Sequence, residues 1–431
     1  MEEKKTIAQQ LDEKKIGRPN PLFYGILKVV ARTVLTWTYH TKIHWKTNFK
    51  KQKGPYVIIS NHASRADYLF NAIYLKERVN FVLGYNEFFR SHLAGTVGGV
   101  NCIPKKNFFF EIKPMMRINE IINQGGVISI YPEGMSSIGG ANQPVAIGTG
   151  NFLKKLNVPV YYSVIKGGYL SCPKFNSTDR PGVVESYLDI MFTPEDLQRL
   201  EPEEIEDQVN RLIYHDDYEW NLKKKYHYNT KGKSAEGLET LLYWCPKCHK
   251  EFVMKSEGDK IYCTECGNGA TLDDTYEMHP FSKDCVIPRT QSKWHQMERE
   301  LVKQEIKKNP DYELTQRVKL GILPQYELLQ NKETSVIVGE GTLTINKTGL
   351  AYKGTKNGKE VELFLPIDKL PTYGMCTDVT RFYTFFDGEF HEFYPEHNEV
   401  MKWFFVTEEL HRANGGKWQY FKFNVEDIAN D

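Results

Sequence analysis

The strongest constraint on the fold is an alternation of short apolar strand-like runs and helical runs between Pro55 and about Ile165. Tyr56–Ser60 reads as a strand and Ala66–Lys76 as a helix. Val79–Tyr85 reads as a strand, Glu87–Leu93 as a short helix and Val100–Ile103 as a further strand. Ile112–Asn123 sets Met115, Met116, Ile118, Ile121 and Ile122 at helical spacing, and Val127–Tyr131 is an unbroken apolar run that stops at Pro132. A helix over Thr149–Leu156 precedes a strand over Val158–Val164. Short apolar strands separated by helices build an α/β fold, a mostly parallel sheet covered by helices. Reactive groups in such a sheet lie beyond the carboxyl ends of the strands.

The turn after the first of these strands carries the chemistry. In Ile58-Ile59-Ser60-Asn61-His62-Ala63-Ser64-Arg65-Ala66-Asp67 a His precedes an Asp by five residues. On one helix those side chains would point about 140° apart. They meet only if His62 stays in the turn and Asp67 enters the first helical turn, which the polar Asn-His-Ala-Ser break allows. An Asp that holds a His ring makes it a general base for a hydroxyl. Glu133 likewise follows a strand.

The N-terminal 18 residues are charged and are expected to be a mobile tail. From Pro19 to Lys53 there are seven Lys/Arg and no Asp or Glu. Gly25, Lys28, Arg32 and Thr36 form one polar stripe of a helix over about 21–39. Leu22, Phe23, Ile26, Leu27, Val30, Val34, Leu35 and Trp37 form a broad apolar face. A basic amphipathic helix of this kind lies in a membrane interface or packs on the protein's own core. No stretch of 18 uncharged apolar residues occurs, so no spanning helix is expected. The Met1-Glu-Glu-Lys-Lys start is unlike a signal peptide.

Beyond a charged helical region over 197–226 and a Lys-rich linker, four of the eight Cys stand as Cys245-Pro-Lys-Cys248 and Cys263-Thr-Glu-Cys266, fourteen residues apart. Two tight thiolate pairs supply a tetrahedral structural Zn²⁺ site better than a disulfide framework. With a net charge of +1 the chain has no basic field for nucleic acid, and no nucleic-acid partner is expected. After a charged helix over 290–308 the pattern turns to alternating strands with Asn357-Gly358 and Asp387-Gly388 between them, which signal hairpins. A helix over about Asn398–Arg412 follows. This strand series with one closing helix resembles a pleckstrin-homology or GRAM-like module.

Four blocks stand in order within about a hundred residues: Asn61-His62-x4-Asp67; Gly98-Gly-Val-Asn-Cys-Ile-Pro-Lys105-Lys106; Tyr131-Pro132-Glu133-Gly134-Met-Ser136-Ser137; and Val158-Pro159-Val160. The chain over about residues 20–220 resembles the glycerophospholipid acyltransferases, best known as 1-acyl-glycerol-3-phosphate acyltransferases. The resemblance implies that His62 and Asp67 are catalytic, and that Glu133 and Gly134 bind the acceptor head group. Two departures stand out. The second block usually ends in Arg where Lys105 stands, beside Lys106. The third usually reads Glu-Gly-Thr-Arg-Ser, where this chain has Met135 and Ser136. Arg65, Lys105 and Lys106 are then the candidate cations for an acceptor phosphate.

The implied function is transfer of a fatty acyl group from acyl-CoA or acyl carrier protein to the free hydroxyl of a lysophospholipid. It would take place at the cytoplasmic face of a membrane, on a peripheral or monotopic protein. A different lyso-lipid acceptor, or a non-catalytic lipid-binding scaffold, is the competing expectation. The implied organisation is a tail over 1–20, an acyltransferase domain over 21–230, a zinc ribbon over 240–270, and a helix with a β module over 285–431.

Overall fold

The structure, a computed structural model, describes residues 4–49, 51–331 and 333–428. Residues 1–3 of the expected tail, Lys50 of the basic stretch and residues 429–431 of the β module lie outside the described residues. Strands β1 (Lys42–Trp45), β2 (Tyr56–Ser60), β3 (Val79–Gly84), β4 (Ile103–Lys105), β5 (Val127–Ile130), β6 (Val160–Lys166) and β7 (Glu185–Phe192) form one sheet in the order β1-β7-β6-β2-β5-β3-β4. Neighbours run parallel except for β6 and β7. The mostly parallel sheet is therefore as expected. β1 and β7, which the strand pattern did not reveal, extend it at one edge.

The central strand β2 is buried along its whole length. Its β-branched side chains alternate between two layers, as a pleated strand requires. Val57 and Ile59 pack with Ile118, Ile121, Leu153 and Val209 on one side, while Ile58 joins Phe81, Phe88 and Val97 on the other. Ile59 pairs with Ile130 and Ser60 with Ser163, so β2, β5 and β6 deliver their carboxyl ends to one edge of the sheet.

Several helices depart from the expected boundaries. The run over Glu87–Leu93 splits into a 3₁₀ turn, Tyr85–Phe89, and a helix, Ser91–Val100, because Arg90 is extended. Val100 thus ends this helix, and the strand expected over Val100–Ile103 is instead Ile103–Lys105, after the left-handed turn at Asn101. A Cβ on Gly99 would sit 2.3 Å from the Phe23 ring, so glycine lets the Pro21–Thr38 helix pack here. The charged region over 197–226 is three helices, Pro194–Arg199, Pro202–Ile213 and Asp217–Lys224. Pro202 has no N–H to extend the first of them.

The Pro21–Thr38 helix starts at Asn20, whose side chain accepts from the N–H groups of Leu22 and Phe23, with Pro21 in the first turn. Its Tyr24, Ala31 and Leu35 are buried. Leu22, Ile26, Val29, Val30 and Trp37 face outward, with Leu22 75% and Trp37 79% exposed. Leu35 therefore belongs to the packed side and Val29 to the outer one. Residues 4–18 are folded rather than mobile. Thr6 and Gln9 form a capping box for the helix Ile7–Glu13, Ile16 is buried, and Arg117 donates to the carbonyls of Leu11, Asp12 and Lys14.

The remainder forms two antiparallel sheets. The first is β8 (Met254–Glu257), β9 (Lys260–Cys263), β10 (Gly269–Leu272) and β11 (Met278–Pro280). After the helix Gln291–Lys308 comes the second: β12 (Glu313–Ile322), β13 (Val336–Asn346), β14 (Gly349–Lys356), β15 (Lys359–Pro366), β16 (Gly374–Met375), β17 (Phe382–Phe386) and β18 (Glu389–Pro395). The helix Val400–Ala413 closes it. Asn357-Gly358 and Asp387-Gly388 sit at hairpin tips with all four φ positive, as two-residue turns of this type demand. One continuous core runs from Met135, Ile138, Leu170 and Tyr218 through Met254 and Ile261 to Trp294, Phe393 and Trp403.

Candidate active site

His62 lies two residues beyond β2, at the carboxyl edge of the sheet, and Glu133 lies three beyond the neighbouring β5. The chain turns after Ser60, and the helix Asp67–Ala72 begins at Asp67 itself. That break brings the pair together: His62 Nδ1 is 2.9 Å from Asp67 Oδ2. Asp67 is fully buried and also accepts from Ser64 N and Ser64 Oγ, both at 2.8 Å. Burial raises its pKa, while the His62 ring and the two Ser64 donors pull it back. With a carboxylate accepting at Nδ1, the neutral imidazole carries its proton there and offers the Nε2 lone pair. The His62 side chain is 25% exposed, and among the described residues nothing bonds Nε2.

The backbone of His62 is held as firmly as its ring. Its N–H donates to Glu133 Oε1 at 2.7 Å, and its carbonyl accepts from Ser137 N at 2.7 Å. The ring lies 4.7 Å from that of Tyr131. Glu133 is buried and takes two further donors, Asn142 Nδ2 at 2.6 Å and Gln143 N at 3.1 Å. Burial pushes its carboxyl up to about 8 against the pull of those donors. Gly134 has a φ of +80°, and a Cβ there would sit 2.8 Å from the Phe108 ring. The first and third blocks thus form one hydrogen-bonded unit. Glu133→Ala strands the donors on His62, Asn142 and Gln143, so unfolding free energy should fall by at least about 2 kcal/mol. A urea midpoint equal to that of the wild type would contradict the bracing role.

The three candidate cations are engaged elsewhere. Lys105, at the end of β4, donates to the carbonyls of Lys106, at 2.5 Å, and Phe109, and burial lowers its pKa to about 8. It closes the loop over 105–109. Lys106 lies 3.7 Å from Glu111 and over the rings of Tyr85, Phe109 and Phe385. Arg65 is paired with Asp179 and donates to the Ser177 carbonyl at 3.0 Å. Lys174, which no sequence pattern marked, is buried and donates to Ser136 Oγ at 3.3 Å. It comes from the loop that follows β6 and the short helix Gly168–Ser171.

The four cysteines fit zinc. Cys245 and Cys266 Sγ are 3.7 Å apart, as are Cys248 and Cys263, and all four sulfurs lie within 4.8 Å of one another. A tetrahedron with Zn–S bonds of about 2.3 Å has edges of about 3.8 Å. The two knuckles repeat one fold. Cys245 N donates to Lys250 O and Cys263 N to Asn268 O, while Cys245 O accepts from His249 N and Cys263 O from Gly267 N. His249 and Gly267 both take a left-handed φ.

Comparison with known proteins gives two family-model matches and one similar solved structure. Residues 40–166 match the family model described as Acyltransferase. Residues 238–268 match a zinc-ribbon model described as DNA directed RNA polymerase, 7 kDa subunit. No curated protein matches the chain significantly. Among solved structures, the 1-acyl-sn-glycerophosphate (LPA) acyltransferase PlsC from Thermotoga maritima is similar at 18% identity and a TM-score of 0.39. The match covers 44% of this chain and 76% of that one. Residues 40–166, which match the Acyltransferase model, carry the His62–Asp67 pair and its Glu133 brace, and residues 238–268, which match the zinc-ribbon model, carry the four cysteines.

Proposed function

We propose that this chain moves a fatty acyl group from acyl-CoA or acyl carrier protein to the free hydroxyl of a lysophospholipid, with 1-acyl-sn-glycerol-3-phosphate as the leading acceptor. The observation that carries the reading is the His62–Asp67 pair, oriented by a buried carboxylate with Nε2 open. Nε2 takes the proton of the acceptor hydroxyl as its oxygen attacks the thioester carbonyl. The C–S bond breaks, and the imidazolium returns the proton to the leaving sulfur. Asp67 orients the ring and stabilises its charged form. The test is thiol release from acyl-CoA, with and without a panel of lyso-lipids. Acceptor-dependent release with formation of the diacyl product is expected. Release that ignores every acceptor would overturn the transfer reading.

The reaction is proposed to occur at a membrane surface, held there by the outward face of the Pro21–Thr38 helix. Among the described residues no helix is long and apolar enough to cross a membrane. Leu22, Ile26, Val29, Val30 and Trp37 are exposed on one face, and Arg32 on the same helix is exposed. Each such aliphatic side chain gains roughly 1.5–3 kcal/mol on full burial. Replacing Leu22, Ile26 and Val29 together with Gln should abolish co-flotation with anionic vesicles and leave the fold intact. Undiminished flotation would assign attachment to another surface.

A further inference from the structure

Ser136 occupies the position where the resemblance places an arginine, and Lys174 reaches it from another part of the chain. Lys174 is only 8% exposed, and its ammonium meets a single side-chain oxygen, Ser136 Oγ at 3.3 Å. Among the described residues no carboxylate lies within ion-pair distance of it. The acidic groups in electrostatic reach are the Cys376 thiol, whose pKa burial pushes up to about 11, and Glu87, which is already bonded by Asn86 and paired with Arg90. Arg65 and Arg90 add further positive charge nearby, and burial lowers the Lys174 pKa to about 8. A buried ammonium short of counter-charge is costly unless an anion meets it.

The placement of this ammonium is built into the fold. Ser137 N holds the carbonyl of His62, so Lys174 ends one residue away from the strap that carries the base. The Lys174 carbonyl accepts from Asp378 N at 2.8 Å, in the turn between β16 and β17. Asp378 and the fully buried Val379 have φ of +81° and +54° there. A β-branched residue persists in that region only where its surroundings hold it.

We propose that Lys174, with Ser136, forms the anion-binding end of the acceptor pocket and takes a phosphate oxygen of the acceptor head group. This rests on the acyl-transfer reading above and names the residue that makes that reaction selective for phosphate-bearing lyso-lipids. The test compares wild type, Lys174→Met and Lys174→Arg in the full chain, with lysophosphatidate and uncharged monoacylglycerol as acceptors. Lys174→Met should raise KM for lysophosphatidate roughly 10- to 100-fold, the effect of one charge-assisted hydrogen bond, with kcat little changed. KM for monoacylglycerol should stay within about twofold, and Lys174→Arg should recover most of the loss. If Lys174→Met does not fold, Ser136→Asp answers the same question. Its carboxylate takes the place of the phosphate, and it should weaken lysophosphatidate selectively. Equal changes for both acceptors, or none, would overturn the assignment while leaving the transfer reading intact. So would a wild type that prefers monoacylglycerol. A wild type that transfers to neither acceptor would overturn the transfer reading, and the assignment with it.

Discussion

His62→Ala should lower kcat on the order of a thousandfold while the protein remains folded. Under the proposed mechanism the reaction loses the group that removes the hydroxyl proton, and Asp67 cannot replace it from its buried position. Asp67→Asn should come close to the same loss. The amide keeps one acceptor oxygen, which in the place of Oδ2 can take both the ring and Ser64 N, but carries no charge to stabilise the imidazolium. Ser64 Oγ, a hydroxyl, can turn to accept from the new NH₂, so the local fold survives. The two variants differ in pH dependence. In His62→Ala the buried Asp67 loses one of the donors that hold down its raised pKa. A carboxyl with its folded pKa raised contributes stability at low pH and loses it as pH rises. The stability deficit of His62→Ala should therefore be larger at pH 7 than at pH 5, whereas Asp67→Asn, which removes the raised carboxyl itself, should show no such increase. Urea midpoints at the two pH values, alongside turnover, decide it. Near-wild-type turnover in folded His62→Ala would end the general-base mechanism.

Loss of zinc should have the second large effect and should reach the active site. One zinc per chain is expected, bound by Cys245, Cys248, Cys263 and Cys266. Structural zinc sites in small domains contribute on the order of 10 kcal/mol. The segments that flank the ribbon touch the elements beside the His62–Asp67 pair. Tyr276 OH donates to the Leu170 carbonyl at 2.7 Å, and Arg180 donates to the carbonyls of Ser234 and Lys233 at 2.9 and 2.8 Å. Leu170 is two residues from Gly168, which lies against Ala63 and Asp67. Cys245→Ser or chelation should therefore lower the unfolding temperature and reduce turnover together. Metal analysis of protein purified without added zinc gives the stoichiometry. A value near zero, with all four thiols freely titratable, would remove the site.

The parts of the fold that were legible are those whose signal is local. Tyr56–Ser60 and Thr149–Leu156 match the pattern to the residue, because a β-branched run and a helical run with a Gly start declare themselves. Helix geometry allowed the His62–Asp67 contact, and the four-block resemblance made it an expectation. β1 and β7 were not legible. Their alternation is broken by polar residues such as Lys42, His44, Glu185 and Asp189, and tertiary pairing defines them, β7 with β6 and the edge strand β1 with β7. The helix Ile7–Glu13 had a readable signal in Thr6 and Gln9, masked by the charge around it. Lys174 had none. Its meaning depends on Ser136, some forty residues earlier in the chain, and on Asp378, two hundred later, and no spacing rule joins them. The engagement of Lys105 and Arg65 was equally hidden, since a cation's partners are set by tertiary contact.

The single core that joins Met135, Ile138 and Tyr218 to Trp403 and Leu410 has a consequence for how the protein is made. At about 5–20 residues per second, a ribosome needs roughly 10–40 s to add the stretch of about 190 residues between Tyr218 and Leu410. Throughout that interval the nascent acyltransferase segment presents apolar surface whose partners do not yet exist. That flank closes only once the segment up to Leu410 has been made. A stalled or prematurely terminated chain would be left with an assembled sheet, an open hydrophobic flank and a demand for chaperones that the finished protein no longer has.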